Sequence, residues 1–178
     1  MWFYKKLTYK YQKPLVLKSP THTGKIETLL RMFPNAKFIH IHRHPHSVVQ
    51  STKLMMEKGF AFWCFQKPTI TMGQIISDYE EVMNAFFSQR DLIPAENYCE
   101  VSYEELVANP VGTIQQVYDE LTLPDFAHMK PSLDDYLAKI ADYKTNKFLP
   151  LSDDLHRKLA ERVPRVFDEW NYELRPEY

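Results

Sequence analysis

Arg43 and Ser51 stand eight positions apart in FIHIHRHPHSVVQS (Phe38–Ser51), where an apolar strand pattern gives way to a helical one. An arginine closing a strand offers a rigid fork of donors. The helix that follows offers unpaired backbone N–H groups and a partial positive charge, and a hydroxyl about two turns along it can join them. Together these residue types suit a phosphate. Lys18 ends a second apolar run, Leu15-Val16-Leu17. An unpaired charge there is costly to bury, so it should face a cleft or an anion. His22 follows four positions later, and an imidazole is a side chain suited to serve as a general base. Taken singly, each has an ordinary structural reading: a surface ion pair for Arg43, a helix surface for Ser51, a solvated strand end for Lys18, a cap for His22.

His40, His42, His44 and His46 invite a metal site. On a strand His40 and His42 share a face, but Arg43 interrupts the series and Pro45 changes the chain direction. No cysteine or carboxylate completes a ligand spacing, so no metal is expected.

The elements that must position these residues follow from periodicity. Trp2, Phe3, Leu7 and Tyr11 fall on a helical face closed by Pro14. Leu15–Leu17 reads as a short buried parallel strand. Ile26, Leu29, Leu30 and Phe33 mark an amphipathic helix stopped by Pro34, and a strand runs from Lys37 to His42. Strand, helix and strand in this order predict a parallel pair with a right-handed crossover. Pro45 suits a first helical position, and its helix should reach about Lys58 and break at Gly59. An aromatic patch, Phe60–Phe65, follows, then a helix from about Thr71 to Arg90 and a strand over Asn97–Val101. Ser102–Leu106 reads as a helical turn, and helices are expected around Ile114–Leu121 and Leu133–Ile140. Ser152 should cap a last helix kinked at Pro164. The three strand ends mark Lys18 and His22, then Arg43, then Ser102, Tyr103 and Glu104, and ligands of open parallel sheets collect at such ends.

The chain has 178 residues, 44% of them apolar and 14% aromatic, enough for one domain with a real core. A net charge of −1 argues against nucleic acid or an anionic membrane as partner, so any anion site is local. No stretch approaches the ~20 apolar residues of a membrane span. Two cysteines, Cys64 and Cys99, make no disulfide framework and read as small buried hydrophobes in a reducing, cytoplasmic setting.

The segment LVLKSPTHTGKIETLLRMFPNAKFIHIHRHPHSVVQS closely resembles the central part of sulfotransferases that use 3′-phosphoadenosine 5′-phosphosulfate (PAPS), in the broad bacterial-type branch that is also similar to tyrosylprotein sulfotransferases. That pattern is a lysine-bearing strand end, a helix, then a strand ending in Arg with a Ser eight positions later. His44 replaces the acidic residue usual after the Arg. CEVSYEELVANPVGTIQQVYDELTLPDF resembles the family's next element, and Tyr143-Lys144-Thr145-Asn146 with FDEWNYE its C-terminal segment.

The resemblance implies a P-loop-NTPase-like α/β fold with a parallel sheet and flanking helices, helix-rich in its C-terminal half. It implies that Arg43 and Ser51 bind the 3′-phosphate of PAPS and that Lys144 and Asn146 close over the nucleotide. Lys18 would approach the transferring sulfuryl group, with His22 as a loose match to the catalytic base. No metal is required when Lys, Arg and backbone N–H groups supply the charge. A small molecule, carbohydrate, lipid or peptide could be the acceptor.

The phosphosulfate-binding loop with which the family begins is not recognisable. Thr21-His22-Thr23-Gly24-Lys25 lacks Walker glycine spacing. Residues 1–178 are therefore expected to be a single sulfotransferase domain, shortened and incomplete at its N-terminus. The alternatives are a non-catalytic module that retains only the 3′-phosphate site, a P-loop kinase-like enzyme, and a metal-binding protein.

Overall fold

The structure is a computed structural model that describes residues 2–63, 65, 69–146, 148 and 150–174. Among the described residues the sheet has two strands, β1 (Phe38–His42) and β2 (Tyr98–Ser102). They run parallel, with His40 opposite Glu100 and His42 opposite Ser102. Around them lie α1 (Trp2–Tyr11), α2 (Ile26–Met32), α3 (Pro45–Trp63), α4 (Met72–Gln89), α5 (Tyr103–Ala108), α6 (Pro110–Glu120), α7 (Phe126–Lys139), α8 (Asp153–Arg162) and α9 (Pro164–Glu169). This is the helix-rich α/β architecture expected.

β1 presents its faces in an unusual sense. His40 and His42 point inward, while Ile39 and Ile41 are 47% and 50% exposed. On the inner face lies the main core, built from Ile75, Ile76, Met83, Phe86 and Phe87 of α4, Val49 of α3, Leu159 of α8, and Val166 and Phe167 of α9. Each such side chain, fully buried, contributes about 1.5–3 kcal/mol. Ion pairs at the rim, Arg162 to Glu80 at 2.7 Å and Arg90 to Glu169, tie α8 and α9 to α4. On the outer face α6 covers β2 alone, where Cys99 and Val101 pack with Val117 and Leu121.

Four local expectations need correction. Leu15–Leu17 forms no strand, and Val16 is 93% exposed. An apolar run signals burial without naming a partner, and among the described residues nothing pairs with this one. The strand–helix–strand crossover is therefore absent. α3 passes through Gly59 to Trp63, because a lone helical glycine costs only about 1 kcal/mol. α7 begins at Phe126, seven residues before Leu133, because its apolar stripe starts there; Phe126 meets Tyr118 edge-on. At Pro164 the last helix divides in two rather than kinking.

Ser152 caps α8 as expected, its side chain accepting from the Leu155 N–H at 3.4 Å. Cys99 is buried, and burial with a bond to Glu120 pushes its thiol up to about 12, which makes it inert. Cys64 lies outside the described residues, as do the side chains of 60–63 in the aromatic patch; Phe65 is exposed.

Candidate functional site

Arg43 leaves the end of β1 with its guanidinium 4.3 Å from the centre of the Tyr103 ring. Tyr103 opens α5, which Ser102 caps by accepting from the Glu105 N–H at 3.0 Å. The ring is thus fixed by a helix start, and the cation lies over its face. Among the described residues Arg43 enters no ion pair, which leaves its donors available to an anion there. Glu104, next along α5, accepts from the His44 N–H at 3.3 Å, which ties the β1–α3 turn to the β2–α5 turn.

His44 caps α3. Its carbonyl accepts the first helical bond, from Val48, and its Nδ1 accepts from the His46 N–H at 3.3 Å. Its Nε2–H donates to the Glu173 carbonyl at 2.9 Å. Both roles require a neutral ring, and burial lowers its pKa accordingly. An imidazole here does the work of an acidic or hydroxyl cap. The helix start is consequently less open than the sequence implies, since Pro45 has no N–H and that of His46 is taken.

The other histidines bind β1 to the C-terminal segment. His40 donates from Nδ1 to Glu100 at 2.8 Å, and the same carboxylate accepts from Tyr98 Oη at 2.6 Å and Trp170 Nε1 at 3.0 Å. Burial opposes the charge of Glu100, but these three bonds prevail and hold its pKa down to about 2. His42 stacks on Trp170 at 4.6 Å with planes 4° apart. Its Nδ1 lies 2.7 Å from Tyr172 Oη, which donates to Glu104 at 3.4 Å. His46 is almost fully buried and its Nε2 forms a hydrogen bond with His156 Nδ1 at 3.0 Å. Burial, then His44 and His156, lower it to about 4. Asn171, at φ 50°, makes the left-handed turn between Trp170 and Tyr172. Among the described residues no cluster of three or more His, Cys, Asp or Glu could hold a metal.

Ser51 sits partly buried on α3, about two turns beyond Arg43. Asn146 shares a cavity with Gln50 and Lys53 of the same helix, so the C-terminal stretch does reach α3. Lys144 is exposed nearby in sequence. Lys18 is exposed and closes no strand; His22 ends a short 3₁₀ turn, Pro20–His22. Among the described residues no hydrogen bond, ion pair or ring contact joins Lys18 or His22 to Arg43 or Ser51.

The sequence marked Tyr103 and Glu104 at a strand end but assigned them no task. It gave Glu100 and Trp170 none either. The register of β1 against β2 would have exposed Glu100, because it stands directly opposite His40.

A profile described as the sulfotransferase family matches residues 2–128. The chain belongs to the sulfotransferase family. It is 32% identical over 173 residues to "Omega-hydroxy-beta-dihydromenaquinone-9 sulfotransferase Stf3" from Mycobacterium bovis, and equally to the protein of that name from Mycobacterium tuberculosis. The match covers 96% of this chain but 44% of either relative, so the chain spans less than half the length of these sulfotransferases. A solved structure, "Sulfotransferase Domain from the Curacin Biosynthetic Pathway", shares the fold with a TM-score of 0.59 at 21% identity. That superposition covers 97% of this chain and 68% of the other. Within this sulfotransferase chain, the profile match takes in Lys18, His22, Arg43, Ser51 and Tyr103, and stops before Lys144 and Asn146.

Proposed function

We propose that this chain carries the 3′-phosphate half of a PAPS site, in a protein that moves a sulfuryl group to an acceptor hydroxyl or amine. The observation that carries this reading is Arg43, fixed over Tyr103 at the end of β1 with no ion pair among the described residues, and followed on α3 by Ser51. Arg43 supplies a charge-assisted fork to the 3′-phosphate and Ser51 a hydroxyl. Asn146 and Lys144 close from the C-terminal stretch.

In the transfer itself the sulfur–oxygen bond to the 5′-phosphate breaks as one forms to the acceptor oxygen or nitrogen, and a base takes the acceptor proton. In-line placement and positive charge on the leaving phosphate are the main requirements. Lys18 is the candidate for that charge and His22 for that base. Ile39 and Ile41 are exposed on a parallel sheet, a class that is ordinarily covered on both faces. This supports residues 1–178 being one incomplete sulfotransferase domain, whose phosphosulfate loop is supplied by chain outside it. The relatives are named for a hydroxylated menaquinone, so an apolar alcohol is the acceptor class we favour, in a cytoplasmic setting. No described helix is long and apolar enough to cross a membrane.

Calorimetry with adenosine 3′,5′-bisphosphate and with AMP tests the reading. The bisphosphate should bind more tightly, and Arg43→Ala should cost it about 1.5–3 kcal/mol, roughly tenfold to a hundredfold, with little change for AMP. Equal affinity of the two nucleotides refutes the 3′-phosphate assignment. The isolated chain should bind without measurable transfer from PAPS, and turnover with any acceptor would refute its incompleteness.

A further inference from the structure

Arg43 and His44 make up the whole turn between β1, which ends at His42, and α3, which begins at Pro45. Both neighbours of Arg43 are held from one place, the dipeptide Tyr172-Glu173. His42 donates from Nδ1 to Tyr172 Oη at 2.7 Å, and His44 donates from Nε2 to the Glu173 carbonyl at 2.9 Å. This stretch is itself anchored. The Tyr172 N–H donates to the Phe167 carbonyl at 3.0 Å, and the Tyr172 ring meets His42, His44 and Trp170 edge-on. The ring therefore belongs to the fold, while the hydroxyl has a task of its own.

With His42 donating to it, the hydroxyl directs its proton to Glu104 Oε2, 3.4 Å away. The other oxygen, Oε1, accepts from the His44 N–H at 3.3 Å. Both oxygens of Glu104 are thus engaged at the turn. Their place matters, because that N–H directly follows Arg43 in the chain, and Tyr103, which lies against the Arg43 guanidinium, directly precedes Glu104. A carboxylate so near is the natural rival of a phosphate for the Arg43 fork, since arginine and carboxylate readily pair through two parallel bonds. Yet among the described residues Arg43 enters no ion pair, and what holds it over Tyr103 is a cation–π contact, one of the weaker attractions.

We propose that Tyr172 is a positioning residue: its hydroxyl holds the Glu104 carboxylate on the β1–α3 turn and so keeps the Arg43 donors open to a phosphate. Tyr172 acts through Glu104 and Arg43. The inference rests on the reading of Arg43 as the 3′-phosphate anchor, and its first measurement needs no nucleotide.

Heteronuclear NMR of labelled, ligand-free chain follows the Arg43 side-chain Nε–H, which the Tyr103 ring current displaces relative to Tyr103→Leu. In Tyr172→Phe, which keeps the ring and its packing, that displacement should shrink as Arg43 turns to the released carboxylate. Tyr172→Phe combined with Glu104→Gln should regain it. Calorimetry then reads the consequence. Tyr172→Phe should bind adenosine 3′,5′-bisphosphate about twofold to fivefold more weakly, the worth of one solvent-screened ion pair, with AMP unchanged. The double variant should recover the wild-type affinity, because a neutral amide does not compete for the guanidinium. Loss of structural support alone would not be rescued by a second substitution beside the first. An Arg43 signal unmoved in Tyr172→Phe, a double variant no tighter than the single one, equal weakening of AMP, or a Tyr172→Phe chain that fails to fold would each overturn the proposal. Equal binding of the two nucleotides by wild type refutes the nucleotide reading instead, and the Arg43 signal then decides the role of Tyr172.

Discussion

Replacing Glu100 by glutamine should destabilise the chain by about 2–4 kcal/mol at pH 7. The carboxylate accepts three hydrogen bonds, from His40, Tyr98 and Trp170, and bonds to a charged acceptor are worth about 1.5–3 kcal/mol each before desolvation is subtracted. Depression of its pKa from 4.5 to about 2 corresponds to roughly 3 kcal/mol, consistent with that net. Glutamine keeps one accepting oxygen but turns an NH₂ donor toward groups that are themselves donors. For a chain of this size the midpoint should fall by roughly 4–16 °C, at about 2–4 °C per kcal/mol.

Urea and thermal unfolding, followed by far-UV circular dichroism, provide the assay. Because the folded pKa is depressed, the stabilisation is present above about pH 4.5 and is lost as pH falls through about 2. The gap between wild type and Glu100→Gln should therefore narrow from pH 5 toward pH 3. Trp170→Phe removes one donor but keeps a ring to stack on His42. The double variant should show a coupling of about 1–2 kcal/mol. A gap under about 0.5 kcal/mol at pH 7, or one that does not narrow in acid, would refute the reasoning.

Two further outcomes follow from the same contacts. His46 takes its proton near pH 4 when folded but near the ordinary 6.5 when unfolded, so acid favours the unfolded chain between those values, by up to about 3 kcal/mol. Burial lowers His42 and His44 in the same direction. Stability measured by urea titration should fall from pH 6.5 to 4, and His46→Gln should flatten part of that slope; a level profile in wild type would contradict it. At the anion site, Tyr103→Phe should keep the affinity for adenosine 3′,5′-bisphosphate within about twofold. Tyr103→Leu should weaken it about threefold to tenfold by releasing Arg43, the loss expected of a cation–π contact of about 0.5–1 kcal/mol or more. Equal affinity in all three chains would remove Tyr103 from the site.

The strand end, turn and helix start that carry Arg43 and Ser51 were legible because they follow each other locally in one continuous stretch. The same holds for α4, whose 3.6-residue apolar stripe is self-contained, and for Ser152 as a cap. Leu15–Leu17 was misread because a strand exists only with a neighbour, and local hydrophobicity cannot supply one. The histidines show the limit most clearly. Their alternation announced a shared face on β1, but an ordinary strand would turn Ile39 and Ile41 inward instead.

What the sequence determined by itself is the family, the strand-to-helix junction that carries Arg43 and Ser51, and most helices, because short-range spacing encodes them. Tertiary structure alone decided that Glu100 stands opposite His40, that Trp170 and Tyr172 return to meet His42, and that Tyr103 lies beneath Arg43. These contacts join residues 60 to 130 positions apart. They depend on strand register and on how α9 packs against α4, which no local pattern records.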